Sequence, residues 1–362
     1  MRVVIVGAGA SGLAAGRRLA GAGHEVVVYE KSRGYGGRAA TRRTHDCVFD
    51  HGAQYLKLPT DEPEVARLVL AELSRDGLVD IGRPVWTFDL HDVVSRGHER
   101  DVFEAKWTYT DGLNTLGKRL ADIDGLTVVR ETRVGRIERD HPTAPFGIYA
   151  DDDTPLGQAD QVLLATPAPQ AIDVLRASQI GPTRRISALD ALAKAPYRSM
   201  LSVMLGFAAP PEGAVFAGGR PDDPRPYYAL VNTDHAHDIS WLAVENDKGL
   251  SRTPEGTLAV IAQMAVSFSE AHYDDAQDLL ESLVAPSVAT LLGTPLGAPL
   301  WSDIARWRLA KPDKTIDLDE ANARPEGLFL VGDYAAGWRL HKALGAGLAV
   351  AALMRDAATG PS

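Results

Sequence analysis

The run Gly7-Ala8-Gly9-Ala10-Ser11-Gly12 has residue types and spacing suited to holding a pyrophosphate. Gly7 permits a tight turn, Gly9 lets backbone amides approach phosphate oxygens, and Gly12 with Gly16 lets the following helix pack closely on a sheet. Free N–H groups at that helix's start, together with its dipole, favour negative charge there. Glu30 closes the next apolar run, where a carboxylate can accept hydrogen bonds from an adenosine ribose. The loop from Lys31 then brings paired glycines, Gly36-Gly37, and Arg38, whose guanidinium can grip phosphate oxygens as a fork. An NAD site does not ordinarily need this second cradle, whereas FAD does.

The elements that must position these residues are apolar runs at 3–6, 25–29, 162–165 and 328–331; the last two lead into Thr166-Pro167 and Gly332-Asp333. Continuous Val/Leu/Ile runs suit strands buried on both faces of a parallel sheet, and such sheets bind ligands beyond their strands' carboxyl ends. One extended FAD is expected across all four ends, with a helix over 11–22 carrying the glycine turn.

The segment Glu30-Lys31-Ser32-Arg33-Gly34-Tyr35-Gly36-Gly37-Arg38, with Thr41-Arg42-Arg43 and Phe49-Asp50-His51-Gly52-Ala53-Gln54-Tyr55, resembles the flavin-binding signature of the amine oxidase superfamily, in its renalase-like branch. Asp111-Gly112-Leu113, Trp241-Leu242-Ala243 with Asn246, Lys248 and Arg252, then Arg306-Trp307-Arg308, and Gly332-Asp333 with Arg339 extend the similarity over nearly the whole chain. The resemblance implies a fold: a Rossmann-type FAD-binding domain, with a glutathione-reductase-like parallel sheet and a β-meander, and an interleaved α+β substrate domain. It also implies roles. Glu30 would hold the AMP ribose, Arg38 the pyrophosphate, Val134 the adenine through its backbone, and Asp333 the ribityl or pyrophosphate end; Gly52, Ala53 and Gln54 would line the isoalloxazine. In the renalase-like pattern the run after Gly-Asp reads approximately Arg-Val-Glu-Gly-Ala, whereas here it is Arg339-Leu340-His341-Lys342-Ala343. This run opens the last helix, which in the superfamily points at the flavin's pyrimidine edge. Lys342 there, beside Ala343, would stabilise anionic reduced flavin and raise its potential.

Composition bounds the rest. At 362 residues the chain is long enough for about two domains. A net charge of −10 argues against nucleic acid or an anionic membrane as the main partner. The single cysteine, Cys47, allows no intramolecular disulfide and reads as a packing residue in a strand; none lies near Gly332-Asp333 for a cysteinyl flavin, so FAD is expected to be non-covalent. The basic, apolar N-terminus is split by the glycine turn and Arg17-Arg18, which favours a Rossmann strand over a signal peptide, and no apolar run reaches the ~18 residues of a membrane span. A cytoplasmic protein is expected.

The chain is expected to cross between two domains, with 1–56, 110–167 and 325–362 in the FAD domain and 57–109 and 168–324 in the substrate domain. Residues 62–75 read as an amphipathic helix outside the FAD core, and 127–150 as a meander in which 133–137 pairs with 146–149. In the substrate domain, 200–207, 227–231 and 239–244 read as strands, and 254–272 and 274–292 as helices, the first with Thr253 as N-cap and Pro254 at its first position. The Pro/Gly-rich 210–226 reads as a surface loop.

Only one nucleotide fingerprint is present, so electrons are expected from a small molecule bound beside the flavin, with O2 as acceptor. Hydride transfer needs stacking, water exclusion and charge stabilisation more than acid/base groups. Candidates are Gln54, Tyr55, Trp107, Tyr109, Arg306, Arg308, Tyr334, Trp338, His341 and Lys342. Trp241 reads as core, His51 as orienting its loop, and His235-Ala236-His237 as a turn without the third ligand a metal needs. The renalase resemblance implies oxidation of isomeric dihydronicotinamides to the aromatic nicotinamide, with peroxide formed from O2. The alternatives are a flavin amine oxidase or dehydrogenase acting on a biosynthetic intermediate, and a binding protein or non-redox enzyme built on the flavin fold.

Overall fold

The computed structural model describes residues 1–97, 104–249 and 251–359; positions 360–362, the end of the last expected FAD segment, lie outside them. Five strands form one parallel sheet in the order Leu328–Leu330, Gln161–Leu164, Arg2–Val6, Glu25–Tyr29 and Leu126–Val129. The apolar runs are buried on both faces because helices cover both. Helices Ala10–Gly21 and Leu340–Thr359 lie on one side, over Ile5, Val28 and Leu163. Helices Ala168–Ala177 and Pro182–Ala193 and a three-stranded antiparallel sheet (Val134–Glu138, Phe146–Ala150, Pro155–Ala159) cover the other, over Val4, Val162 and Leu164.

The two helices on the first side touch at small residues: a Cβ added to Gly347 would sit 2.3 Å from the carbonyl oxygen of Ser11. The last helix therefore braces the glycine turn from behind.

A second, seven-stranded sheet runs in the order Trp301–Pro312, Tyr197–Ala208, Thr257–Met264, Ile239–Val244, Ala229–Asn232, Val85–Phe88 and Val94–Ser95. Helix Gln277–Leu292 packs Leu280, Val284, Val288 and Leu291 on one face. The other face lies against strand Cys47–Asp50, where Cys47 and Phe49 join Met204, Ile261 and Ala305 in a common core. Among the described residues, no helix is long and apolar enough to cross a membrane.

Three elements differ from the sequence expectation. Residues 257–264 are a central strand, and only Val266–Ala271 is helical. Leu258 to Ala262 are all buried, and a continuous apolar run carries no period that separates strand from buried helix. Leu126–Val129 is the fifth parallel strand, not the start of the meander, and pairs with Glu25–Tyr29. The 62–75 helix (Pro63–Arg67, continuing through Leu68–Glu72) does not stand outside the FAD-side core: Val65, Leu68, Val69 and Leu73 are buried in it, because this apolar stripe finds its cover there.

Candidate active site

The glycine turn is built as its residue types require. Gly12 lies 2.3 Å, measured from a built Cβ, from the carbonyl oxygen of Gly7, and any side chain would push the helix off the sheet. A Cβ on Gly9 would meet nothing within 4 Å, so this position faces open space. No side chain caps the helix that follows, leaving its first amides to a ligand. The second cradle docks on the first: Gly36 N donates to Ala8 O at 2.9 Å, and Gly37, at φ +58°, stacks against Gly9. The Glu30 carboxylate joins the turns, accepting from Ala8 N and Ser32 N at 2.8 Å each. A carboxylate has about four lone-pair sites, so acceptor capacity is left for a ribose.

Arg38 crosses between the sheets. Its two terminal nitrogens donate to the two oxygens of Asp333 at 2.6 and 2.8 Å, and Nη1 also reaches the carbonyls of Leu309 and Ala310. Tyr197 Oη donates to Asp333 as well. Burial works against the Arg38 charge, but the Asp333 carboxylate outweighs it and holds the guanidinium above its ordinary range.

Segment 50–54 forms a platform whose first three carbonyls are claimed. His51 O accepts from Trp307 Nε1 and Ser202 Oγ, both at 2.9 Å; Gly52 O accepts from Gln263 Nε2 at 2.6 Å; Asp50 O accepts from Gln54 Nε2. Behind it lies a fully buried quartet. Arg252 reaches Asp50 at 2.9 Å and Glu245 at 3.2 Å, while Lys248 reaches Glu245 at 2.7 Å and Asp50 at 3.4 Å. Lys248 also donates to Gln54 Oε1 at 3.2 Å, so both ends of that amide are fixed. Burial alone would raise the Asp50 pKa, but Lys248, Arg252 and hydrogen bonds from Leu113 N and Thr41 Oγ1 hold it below the ordinary value; for Glu245 burial prevails and raises it. His51 stacks on Trp307 with ring centroids 5.0 Å apart, and burial, helped by Arg42, pushes its pKa down to about 4.

These parts line one cleft of about 1270 Å³ that runs from the glycine turns past the platform to the second sheet. Its far wall carries Tyr55, Thr87, Met200, Val231, Trp241, Gln263 and Trp307.

Residues 80–355 match the family model described as flavin containing amine oxidoreductase, and residues 5–73 match an NAD(P)-binding Rossmann-like domain. The chain belongs to the flavin-containing amine oxidoreductases. FAD is the cofactor of this family. The chain is 47% identical over 77 residues to an L-amino-acid oxidase of Sistrurus catenatus edwardsii, a stretch covering 21% of this chain and 14% of that protein. It is 39% identical over 59 residues to a 4,4'-diapophytoene desaturase of Staphylococcus aureus, covering 16% of this chain and 12% of that one. The chain thus matches only a small part of the length of these curated relatives. Among solved structures it is similar to cyclohexylamine oxidase from Brevibacterium oxydans IH-35A, with a TM-score of 0.69 at 15% identity and 99% of both chains covered. It is also similar to a putrescine oxidase bound to putrescine, at TM-score 0.68 and 13% identity over 98% of this chain and 99% of the other. At these identities the likeness is one of fold.

The residues present fit FAD. The open space at Gly9, the uncapped helix start and the buried, unpartnered Thr166 Oγ1 face one continuous cleft. Gly7, Gly9, Ala10, Ser11, Glu30, Lys31, Gly37, Arg38, Gly52, Ala53, Gln54, Val134, Gly332, Asp333 and Ala343 all line it. Gly12 does not, its work being packing.

The structure separates the candidates for chemistry. Tyr55, Trp338 and His341 line the cleft; burial lowers the His341 pKa, with Lys342 and Arg339 adding to it against Glu62. Arg306 touches the cleft wall, but its guanidinium donates to the carbonyls of Tyr273 and Asp275, because alternation along the strand puts Trp307, not its neighbours, on the platform side. Gln54 is consumed in holding the platform. Lys342 is a correction: its ammonium pairs with Glu62 and it does not line the cleft. Trp107, Tyr109 and Tyr334 also lie off the cleft; Tyr109 and Tyr334 are buried in the cores flanking the parallel sheet. Trp241 is half-buried and part of the wall, packed on Tyr55 and Tyr228. His237 accepts from Ile239 N through Nδ1 and bonds Asp92 through Nε2.

Sequence reasoning missed Asp50 and Glu245. A usable signal existed: an acid that directly follows a strongly apolar run, as both do, has to be paired if it is buried. Ser202 and Gln263 carried no such signal, being ordinary polar residues within strands.

Proposed function

We propose that the protein is an FAD-dependent oxidase of renalase type, taking hydride from isomeric dihydronicotinamides and passing the electrons to O2 to give peroxide. The observation that carries this reading is the far wall of the cleft, which is aromatic and polar but includes no carboxylate among the described residues. A dihydropyridine carbon is already activated and releases hydride without losing a proton, whereas an amine arrives as an ammonium and must be deprotonated first. When bound, the isoalloxazine would supply the two-electron acceptor beside this wall.

The chain's own residues do the rest. Tyr55, Trp241 and Trp307 offer flat surfaces that would hold a planar donor and exclude water. His51, neutral at pH 7 and stacked on Trp307, supports that ring and moves no proton. Asp50, Lys248 and Gln54 fix the platform on which the ring system would rest. We assign residues 1–56, 110–167 and 325–362 to the FAD-binding part, with 63–72 and the helices Ala168–Ala177 and Pro182–Ala193 packed on it, and the rest of 57–109 and 168–324 to the substrate part, and place the protein in the cytoplasm, in keeping with its single, buried cysteine.

Amine oxidation is the second reading, in keeping with the match to the flavin containing amine oxidoreductase family. The deciding experiment adds borohydride-reduced NAD, and separately a panel of amines, to the purified yellow protein without oxygen and follows the flavin band. Rapid bleaching by the reduced nicotinamides, followed by one peroxide per turnover in air, is expected. Bleaching by amines alone overturns the proposal in favour of the second reading, and bleaching by neither overturns both.

A further inference from the structure

We propose that the mouth of the cleft is a phosphate-binding site for the electron donor, formed by Arg308, Lys311 and Arg339 around Trp338. This inference rests on the reading of the cleft as the donor's site and names the donor's chemical class: a phosphate-bearing molecule, not a cation.

All four residues line the cleft. Among the described residues, Arg308, Lys311 and Arg339 have no carboxylate partner; the charged groups of Lys311 and Arg339 instead lie 5.7 and 4.9 Å from the centre of the Trp338 ring. Three other basic residues do have carboxylate partners. Arg38 is paired with Asp333, Arg42 with Asp303, and Lys342, in the turn after Arg339, with Glu62. In a chain of net charge −10, leaving three cations uncompensated at one opening is a local arrangement. It does not follow from composition.

The backbone supports it. Along strand Trp301–Pro312, Trp307 pairs with Met200 but Lys311 pairs with Arg198, so residues 308–310 form a bulge. Arg38 pins this bulge from the cofactor side through the carbonyls of Leu309 and Ala310. A bulge re-aims side chains that regular alternation would send elsewhere. Arg308 and Lys311, in and just after the bulge, line the cleft, whereas the guanidinium of Arg306, before it, is tied to the carbonyls of Tyr273 and Asp275. Trp338 is 59% exposed, and its indole face holds the two flanking cations in place.

Two guanidinium forks and an ammonium form a donor set matched to a phosphate dianion or pyrophosphate. The cofactor's phosphates have their own cradle in the paired glycine turns, so the mouth is free for a second phosphorylated molecule. The same three charges repel a diamine.

The test uses FAD-saturated protein and calorimetric titration with two matched pairs, nicotinamide mononucleotide against nicotinamide riboside, and AMP against adenosine. The phosphorylated member is expected to bind at least about tenfold more tightly at low salt, with the advantage shrinking as salt is raised. In the triple variant Arg308→Gln, Lys311→Gln, Arg339→Gln the ratio is expected to fall to about one. The single Lys311→Gln protein, run alongside with flavin content checked by absorbance, is expected to lose a few-fold of the preference. Equal binding of both members of each pair, or a preference that survives the triple substitution, overturns the site. If the phosphate preference is present and lost in the variant, yet no reduced nicotinamide bleaches the flavin, the phosphate site stands and the proposed reaction fails. If reduced nicotinamide riboside bleaches as fast as the reduced mononucleotide, with binding indifferent to phosphate, the reaction stands and the site fails.

Discussion

Arg38 and Asp333, 295 positions apart in the chain, meet as a two-pronged ion pair. The sequence reading gave each a separate hold on the cofactor, but the structure makes them one unit, with Tyr197 as a third member. Arg38→Ala is expected to leave Asp333 without its ion-pair partner, holding only Tyr197, and to cost roughly 1.5–3 kcal/mol of the interactions that shape the cleft. Flavin bound per chain after gel filtration should fall, and Arg38→Lys should not restore it, because an ammonium cannot span both oxygens. Full flavin occupancy in Arg38→Ala would remove this residue from cofactor binding.

Lys248→Met should be among the more damaging substitutions. It leaves the buried quartet with two acids and one base, a loss of about 3–5 kcal/mol for breaking a buried pair. Thermal unfolding should show a markedly lower midpoint, and adding Glu245→Gln, which restores neutrality, should recover part of it. A double variant no better than the single one would mean that packing, not charge, sets the cost.

His51 should make stability depend on pH. Its folded pKa of about 4 lies below the ordinary histidine value of 6.5, so the unfolded chain binds a proton more readily. The full stability associated with keeping it neutral is present above pH 6.5 and falls as pH drops towards 4, by up to about 3 kcal/mol. Urea midpoints between these pH values should decline in the wild type and be flatter in His51→Gln.

Cys47 should be inert in the native protein. Burial, with Asp46 and Glu245 nearby, pushes its thiol up to about 11, leaving almost no thiolate at neutral pH. A chromogenic disulfide reagent should label no thiol until denaturant is added, then one. Rapid labelling without denaturant would contradict the buried position.

Lys342→Ala should leave the flavin potential where it is, since the ammonium is directed to Glu62. A dye-equilibrated potential lowered by tens of millivolts would show that the lysine swings to the cofactor.

The cofactor half was legible because its signals are local. Gly7 to Gly12, Glu30 and Gly36 to Arg38 each act through their own turn, and the strands announce themselves as apolar runs. The far wall was not legible in the same way. Trp307 faces the platform, and Arg306 does not, because of strand alternation, and the register that sets it, like the bulge at 308–310 beyond it, exists only in pairing with Tyr197–Ala208. The strand at 257–264 hid among helix-compatible residues because it is covered on both sides. Asp50, Glu245, Lys248 and Arg252 become a quartet only after two sheets close on each other.

The contact between Ser11 and Gly347 bears on the order of events during synthesis. Synthesis reaches the turn that would hold the pyrophosphate more than three hundred residues before the helix that backs it and the sheet strand beside Gln161–Leu164. Such a long-range closure is slow, and until it happens the early strands have exposed edges. Flavin capture is therefore a late event, and a ribosome stalled before residue 328 would release a colourless, aggregation-prone chain.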